Sequence, residues 1–194
     1  MGITDTITSI TPFDWFVIGF VIVMFILGWA QGVVRRLLGI AAVIFSFLLA
    51  ANLRDALGGF LASNWVQFPR EYSLMIAFAF LFVVFMVIST IVIQAMYKPA
   101  PIFARAPLLD EILGGFLGIV QALLIVGAGI VILDSFYRLP VGIGANQVQL
   151  FKDLYGAVNE SKSVIVFRDT LIPLFVALVG PLLPSDIRAL YPRT

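Results

Sequence analysis

Two long uncharged stretches near the start of the chain constrain its fold more than any other feature. Residues 15–34 and 37–53 contain no charged side chain, and only Arg35 and Arg36 separate them. As a single helix these residues would measure roughly 58 Å, about twice the thickness of a bilayer's hydrocarbon core. The segment is therefore predicted to fold back, with its turn at residues 31–36 and both arginines at a membrane interface.

The composition places the chain among integral membrane proteins. Hydrophobic residues make up 61% of the 194 residues and charged residues 12%, whereas soluble domains carry about 25% charge. The chain contains no cysteine and no histidine, which excludes disulfides, thiolate zinc sites and Ser-His-Asp or Cys-His catalysis. We predict no catalytic residue, no metal site and no cofactor. A net charge of +1 offers no basic face, so nucleic acid is not an expected partner.

The predicted fold class is an all-α integral membrane protein with four transmembrane helices plus amphipathic or re-entrant C-terminal helices. The transmembrane domain covers residues 1–134, and residues 135–194 form an amphipathic, membrane-associated C-terminal segment. Residues 54–71, after the second span, are expected to form a short interfacial helix with a glycine break. The four spans lie at approximately 14–33, 36–53, 72–97 and 111–133.

The C-terminal segment leaves the number of crossings open. Residues 150–158 carry apolar side chains at helical spacing, which indicates an amphipathic helix on the membrane or on the bundle. The uncharged stretch 170–185 is short and is interrupted by Pro173, Pro181 and Pro184. It is predicted to be interfacial or re-entrant, because a crossing takes about 20 apolar residues. A fifth crossing is the alternative.

The positions of lysine and arginine predict the orientation. The first turn carries two arginines, and the connector after the third span carries Lys98 and Arg105. Because positively charged loops face the cytoplasm, both termini are predicted to lie outside. Arg54 and Arg70 flank the loop on the opposite side, so the bias is small.

Small residues four positions apart indicate faces at which helix backbones can approach each other. Gly28 and Gly32 form one such pair at the end of the first span. Gly114, Gly118 and Ala122 form a longer ridge on the fourth span. These residues are predicted to make helix-packing contacts, either within the chain or between copies of it.

Polar side chains near and within the spans suggest three further roles. Asp110 begins the fourth span and is predicted to cap that helix, because its carboxylate accepts bonds from first-turn amides. Polar groups inside the spans should face the bundle interior, so Gln31, Asn52 and Gln121 are candidates for a polar path. No ionisable group lies near the middle of a predicted span, which argues against a proton-coupled transporter.

Three sequence features together resemble the colicin V production protein (CvpA) family of bacterial membrane proteins. They are Asp14 ahead of an aromatic, apolar span, the segment GWAQGVVRRLLG, and the segment DEILGGFLGIVQALLIVGAGIVILD at residues 110–134. The last is the most specific, since it combines a glycine ladder with an aspartate at each end. The likeness covers roughly residues 13–134. Gln31 stands where relatives usually have a basic residue, and Arg36 where they commonly have an acidic one.

The resemblance implies a four-span protein of the bacterial inner membrane, linked to colicin V production or export and, more loosely, to envelope maintenance. In some relatives a similar module anchors a periplasmic protease domain, which agrees with a fourth span that ends outside. The family brings no catalytic residues.

Two functions remain open at this point. We expect a non-enzymatic scaffold or accessory factor, with membrane lipid and either a second copy or another membrane or export protein as partners. A small homo-oligomeric channel or transporter is the alternative. An intramembrane enzyme is disfavoured because the spans hold no nucleophile-base pair or metal set.

Overall fold

The computed structural model describes residues 10–96, 107–138 and 149–191, and these residues are almost entirely helical. No strand occurs in these three ranges, so the predicted all-α class is confirmed. A π-helical turn, Phe167–Leu171, joins α5 to α6, and a 3-10 turn, Gly180–Leu182, follows α6. The α-helices are α1 Pro12–Asn64, α2 Arg70–Met96, α3 Pro107–Tyr137, α4 Gln149–Asn159, α5 Lys162–Val166, α6 Ile172–Val179 and α7 Ser185–Leu190.

Helix α1 is 53 residues long and is divided by Gly32. The φ of Gly32 is +74°, which lies in the region that favours glycine. Residues 12–31 and 33–64 therefore form two legs, named here the first leg and the second leg. The legs fold back on each other, since Arg36 of the second reaches Met24 of the first. The predicted reversal is present, and its turn is one residue rather than a loop.

The second leg continues further than the sequence suggested. A short interfacial helix with a glycine break was expected over residues 54–71, but α1 runs without interruption to Asn64. The expectation was wrong because Gly58 serves close packing and does not break the helix. A Cβ added at Gly58 would come within 2.9 Å of the Leu74 backbone of α2.

Helix length and contacts together define how often the chain crosses the membrane. Within the described ranges, four segments are long and apolar enough to cross, namely α1, α2, α3 and Lys162–Leu182. Helix α1 accounts for two crossings because Gly32 divides it into two legs, each long enough to cross the hydrocarbon core of a bilayer. The structure therefore has four spans up to the end of α3.

The segment Lys162–Leu182 contacts the same end of the bundle at both of its own ends. Ser161, which precedes it, bonds to Asp14, and the carbonyl of its last residue accepts a bond from Asn52. Asp14 and Asn52 both lie at the end of the bundle opposite Gly32. The segment therefore enters and returns as a re-entrant unit, and the alternative with a fifth crossing does not fit these contacts.

Aromatic packing joins the spans to the C-terminal segment, defined from here as residues 149–191. The ring of Phe47, on the second leg, lies 5.4 Å from that of Phe78 and 6.3 Å from that of Phe82, both on α2. Its third neighbour, at 5.5 Å, is Phe175 of α6. Phe47 is 1% exposed, so it is at the centre of the hydrophobic core.

Candidate functional site

An aspartate from another helix accepts a hydrogen bond at the break in α1. Asp110 lies in the first turn of α3, and its Oδ1 accepts a hydrogen bond of 3.4 Å from the backbone N–H of Val33. Val33 opens the second leg, so the carboxylate meets the positive end of that leg's dipole. The sequence assigned Asp110 to the cap of its own helix. In the structure its side chain instead bonds to the start of the second leg of α1.

The small residues predicted to pack lie against one another within the chain. A Cβ added at Gly114 would come within 2.5 Å of the Gly28 backbone oxygen and 2.9 Å of the Gly32 Cα. A Cβ at Gly118 would fall within 3.0 Å of the Met24 backbone. Ala122, one step further along α3, is fully buried. The first leg and α3 thus approach at backbone distance along this line.

Arg36 is buried inside the bundle, with 4% of its surface exposed. Its Nη1 donates a 2.8 Å hydrogen bond to Oε1 of Gln121, and its Nε has no partner. Gln121 is the fifteenth of the 31 residues of α3, which places the contact near the middle of that helix. The turn is at Gly32, within the predicted residues 31–36, and the guanidinium of Arg36 points into the bundle.

A cavity of about 210 Å³ lies beside Arg36, between the two legs, α2 and α3. The structure brings Gln31 and Gln121 together, as the sequence suggested for a polar path, and places Arg35 beside them. Two residues of α2 that the sequence had not assigned to this path also line the cavity. The polar lining residues are Gln31, Arg35, Arg36, Thr90, Gln94 and Gln121.

Asn52 does not belong to this polar group, which corrects its assignment to the same path. It lies 16 positions after Arg36, roughly 24 Å along the second leg. Its side-chain nitrogen donates to the carbonyl of Leu48 at 2.8 Å and to that of Leu182 at 3.0 Å. Asn52 therefore attaches the C-terminal segment to the opposite end of the bundle.

Asp14 anchors the start of the C-terminal segment. Its Oδ1 accepts bonds from the Ser161 hydroxyl at 2.6 Å and from the Ser163 amide and hydroxyl at 2.8 and 2.6 Å. Its Oδ2 accepts from the Thr11 amide and hydroxyl at 2.9 and 2.8 Å, which also caps the first leg. This buried carboxylate is thus satisfied by neutral donors alone among the described residues.

Asp134 forms the second anchor and is fully buried at the end of α3. Arg168 donates to both of its oxygens, from Nε at 3.0 Å and from Nη2 at 2.5 Å. The hydroxyl of Tyr191 donates to Oδ2 of Asp134, and Nη1 of Arg138 lies 3.7 Å from the same oxygen. Arg168 also donates to Asn159 at 2.7 Å, so one arginine ties α3, α4 and the π-helical turn together.

The environment of Tyr191 follows from this arrangement. Burial, followed by the nearby Asp134 carboxylate, raises the pKa of the Tyr191 phenol. Both effects disfavour a second negative charge at the same place. Tyr191 therefore stays protonated and keeps donating its hydrogen bond well into the alkaline range.

Arg54 provides the third anchor, near the end of the second leg. It is 3% exposed, pairs with Asp186 of α7, and lies 5.5 Å from the centre of the Phe78 ring. Three charged residues that lie far apart in sequence thus bind the C-terminal segment at one end of the bundle. These residues, Asp14, Arg54 and Asp134, are named here the three anchors.

The sequence reasoning missed the three anchors, and part of the signal was visible. Asp134 closes one apolar stretch and Arg168 stands at the head of another, so opposite charges flank two segments that must pack together. The pairing of Asp14 with two serines left no such signal, because serines occur throughout loops. The three anchors have a structural role, because each charge is neutralised or hydrogen-bonded where two elements meet.

The fold and these contacts define a class: a multi-pass, four-span helical membrane protein with a re-entrant C-terminal segment fastened to one end of the bundle. Within that class, a family model described as colicin V production protein matches residues 13–169, most of the chain. The chain therefore belongs to the colicin V production protein family. A search of curated proteins finds no match, and neither does a search of solved structures.

Proposed function

We propose that this chain is a non-enzymatic scaffold or accessory factor of the bacterial inner membrane, linked to colicin V production or export and to envelope maintenance. Its family membership supports the link to colicin V production. The observation that supports a scaffold role is the attachment of the C-terminal segment through Asp14, Arg54 and Asp134. The buried charges of this region are used to hold elements together.

The attachment gives the C-terminal segment a fixed outer surface. Large apolar side chains along it remain exposed although their neighbours are buried in the core. Such a row suits contact with lipid or with the apolar surface of another membrane protein. The exposed residues are Leu150, Leu154, Ile165, Val166, Leu174, Leu178 and Leu182.

We also propose that close glycine packing between the first leg and α3 gives the bundle its rigidity. The backbone approaches at Gly28, Gly114 and Gly118 support this role. Because those glycines already face each other within one chain, contacts between copies or with partners are left to other surfaces. The exposed face of the C-terminal segment is the proposed one.

For orientation, we propose that the N-terminus and the C-terminal segment lie on the periplasmic side. The support is the position of the basic residues: Arg35 and Arg36 follow the break at Gly32, and the connector before α3 carries Lys98 and Arg105. Basic residues near the ends of spans favour the cytoplasmic side. Arg54 and Arg70 lie toward the other end, so the bias is small.

The scaffold is tested by photo-crosslinking in intact cells. A photoreactive residue at Leu154 or Leu178, both exposed on the C-terminal segment, should give adducts with a distinct protein, identified by mass spectrometry. The matched control is Ile88, which is exposed on α2 and should give lipid adducts only. Identical adducts from all three positions would contradict a dedicated partner surface.

A small homo-oligomeric channel is the second candidate, and the polar cavity beside Arg36 favours it. In a channel, the polar side chains of several copies would line one path across the membrane. Proteoliposomes should then pass ions or small solutes, with a selectivity that changes when Arg35 and Arg36 are neutralised. Liposomes that remain impermeable to a panel of ions and solutes would exclude this candidate.

A further inference from the structure

The cation Arg36 is buried with only part of its hydrogen-bonding capacity used. A guanidinium has five N–H donors in a fixed planar fork. One nitrogen, Nη1, donates to Gln121 and has a long contact of 4.0 Å to the sulfur of Met24. The Nε of Arg36 is buried without a partner. The guanidinium therefore has a donor that no described residue uses, and the Arg36 side chain lines a cavity.

The charge of Arg36 also lacks a counterion in the described part of the chain. The ion pairs there join Arg54, Arg138 and Arg168 to aspartates at the other end of the bundle. Arg35, the next residue, adds a second positive charge to the lining of the same cavity. A buried charge without compensation is strongly unfavourable in a protein interior or a membrane.

An acidic side chain close to the turn is already engaged. Asp110 lies at the break in α1, where its Oδ1 accepts from Val33 and its Oδ2 faces Gly32. It forms no ion pair with Arg35 or Arg36. Two adjacent arginines thus face a polar cavity whose negative charge must come from elsewhere.

The cavity has the size and the lining that such a ligand needs. Its volume of about 210 Å³ compares with roughly 10–15 Å³ for a single water. Gln121 accepts from Arg36 through its oxygen, which leaves its amide nitrogen to donate. Gln94 and Thr90, both exposed on α2, bring the cavity to the outer surface of the bundle.

We propose that this cavity binds an oxyanion, with Arg36 as its principal charge and with Arg35, Gln94 and Gln121 as additional donors. Arginine forks bind the oxygens of phosphate or carboxylate groups in pairs, and amide donors complete such a site. The oxyanion is the phosphate of an anionic lipid headgroup or a small free oxyanion. This site shares no lining residue with the proposed partner surface on the C-terminal segment.

Purified full-length protein in detergent tests both sources. In one arm, unfolding temperature is followed as inorganic phosphate is added, with chloride at equal ionic strength as the reference. In the other, retention of phosphatidylglycerol against phosphatidylcholine is measured by native mass spectrometry. The variants are Arg36→Gln and Arg36→Lys. The control is Arg70→Gln, which removes the same charge from an exposed position at the other end of the bundle.

The wild type is expected to bind phosphate or to prefer phosphatidylglycerol, and the arm that responds names the source. Arg36→Gln should weaken this binding at least tenfold, Arg36→Lys less, and Arg70→Gln hardly at all. The proposal is overturned if the wild type responds in neither arm. It is also overturned if Arg36→Gln binds as the wild type does, or if Arg70→Gln loses as much.

A further variant tests the site even if Arg36→Gln does not fold. Gln94 is exposed and lines the cavity, so Gln94→Leu should leave the fold intact while removing one donor. Its binding is expected to fall severalfold. If Arg36→Gln does not fold and Gln94→Leu binds with unchanged affinity, the oxyanion site is rejected.

Discussion

The carboxylate of Asp134 and the guanidinium of Arg168 are joined by two hydrogen bonds, of 3.0 and 2.5 Å, although 34 residues separate them in the chain. The carboxylate is fully buried, and 15% of the arginine side chain is exposed. Breaking a buried pair by removing one charge leaves the other uncompensated, which costs about 3–5 kcal/mol.

Asp134→Asn is therefore expected to lower stability by about that amount and to release the C-terminal segment. Thermal unfolding in detergent measures the first effect, and protease sensitivity of residues 149–191 measures the second. The control is Asp169→Asn, which removes an exposed carboxylate beside Arg168. If both variants behave alike, the pair does not hold the segment.

Gly118→Ala should destabilise the bundle, because its Cβ would collide with the Met24 backbone, which cannot rotate away. Overpacking of this kind costs about 1–3 kcal/mol, and Gly118→Ile should cost more. Unfolding temperature and the monodisperse fraction in size-exclusion chromatography report the change. Gly129→Ala is the matched control, since nothing lies within 4 Å of a Cβ there. A tolerated isoleucine at 118 would contradict the close approach.

Gly32→Ala should disturb the turn for two separable reasons. A positive φ at a residue other than glycine costs about 1–3 kcal/mol, and the new methyl group would also collide with the Asp110 carboxylate. The double variant Gly32→Ala, Asp110→Ala removes the collision but not the backbone strain, so partial recovery is expected. Gly59→Ala, open around its Cβ, serves as the control. A stable Gly32→Ala variant would argue against the break.

The hydrogen bond from Tyr191 to Asp134 predicts a loss of stability in alkali. The phenol pKa is raised in the folded state, whereas an unfolded tyrosine titrates near about 10. The contribution of Tyr191 is thus fully present below about pH 10 and is lost as the pH rises from there toward the folded pKa.

Tyr191→Phe should cost about 1.5–3 kcal/mol at neutral pH, the usual range for a hydrogen bond to a charged group. Above about pH 10 the difference from the wild type should shrink, because only the wild type has this phenol to titrate. Unfolding at pH 7.5 and pH 11 measures both values. A difference that does not change with pH would mean that Tyr191 does not titrate in this way.

The proposed orientation can be tested cleanly because the chain has no cysteine. Two variants each introduce one cysteine, Val66→Cys and Lys98→Cys. Val66 is exposed in the loop between α1 and α2, and Lys98 belongs to the connector before α3. In intact spheroplasts a membrane-impermeant maleimide should label position 66 and should label position 98 only after permeabilisation. The reverse pattern would place the N-terminus in the cytoplasm.

The number and type of spans could be predicted from the sequence because each depends on a local property. Uncharged runs of sufficient length predict helices, and a run too long for one crossing predicts a reversal. The sequence placed the reversal within residues 31–36, and the backbone conformation of Gly32 identifies the residue at which it occurs.

The contacts between distant segments could not be predicted in the same way. Asp14 meets Ser161 across 147 residues and Arg54 meets Asp186 across 132. Such pairs depend on how helices are arranged in space, and a single sequence carries little information about that. The same limit applies to Arg36, whose burial follows from the position of Gln121 on α3 and not from its neighbours in sequence.

The single-residue break at Gly32 has a consequence for how the protein is made. A hairpin joined by a loop can insert its first helix and place the second later, because the loop leaves slack between them. Here the second leg begins at Val33, directly after the residue that ends the first. The two legs must therefore enter the bilayer as one unit during biosynthesis, and until α3 is synthesised the amide of Val33 has no Asp110 to receive it.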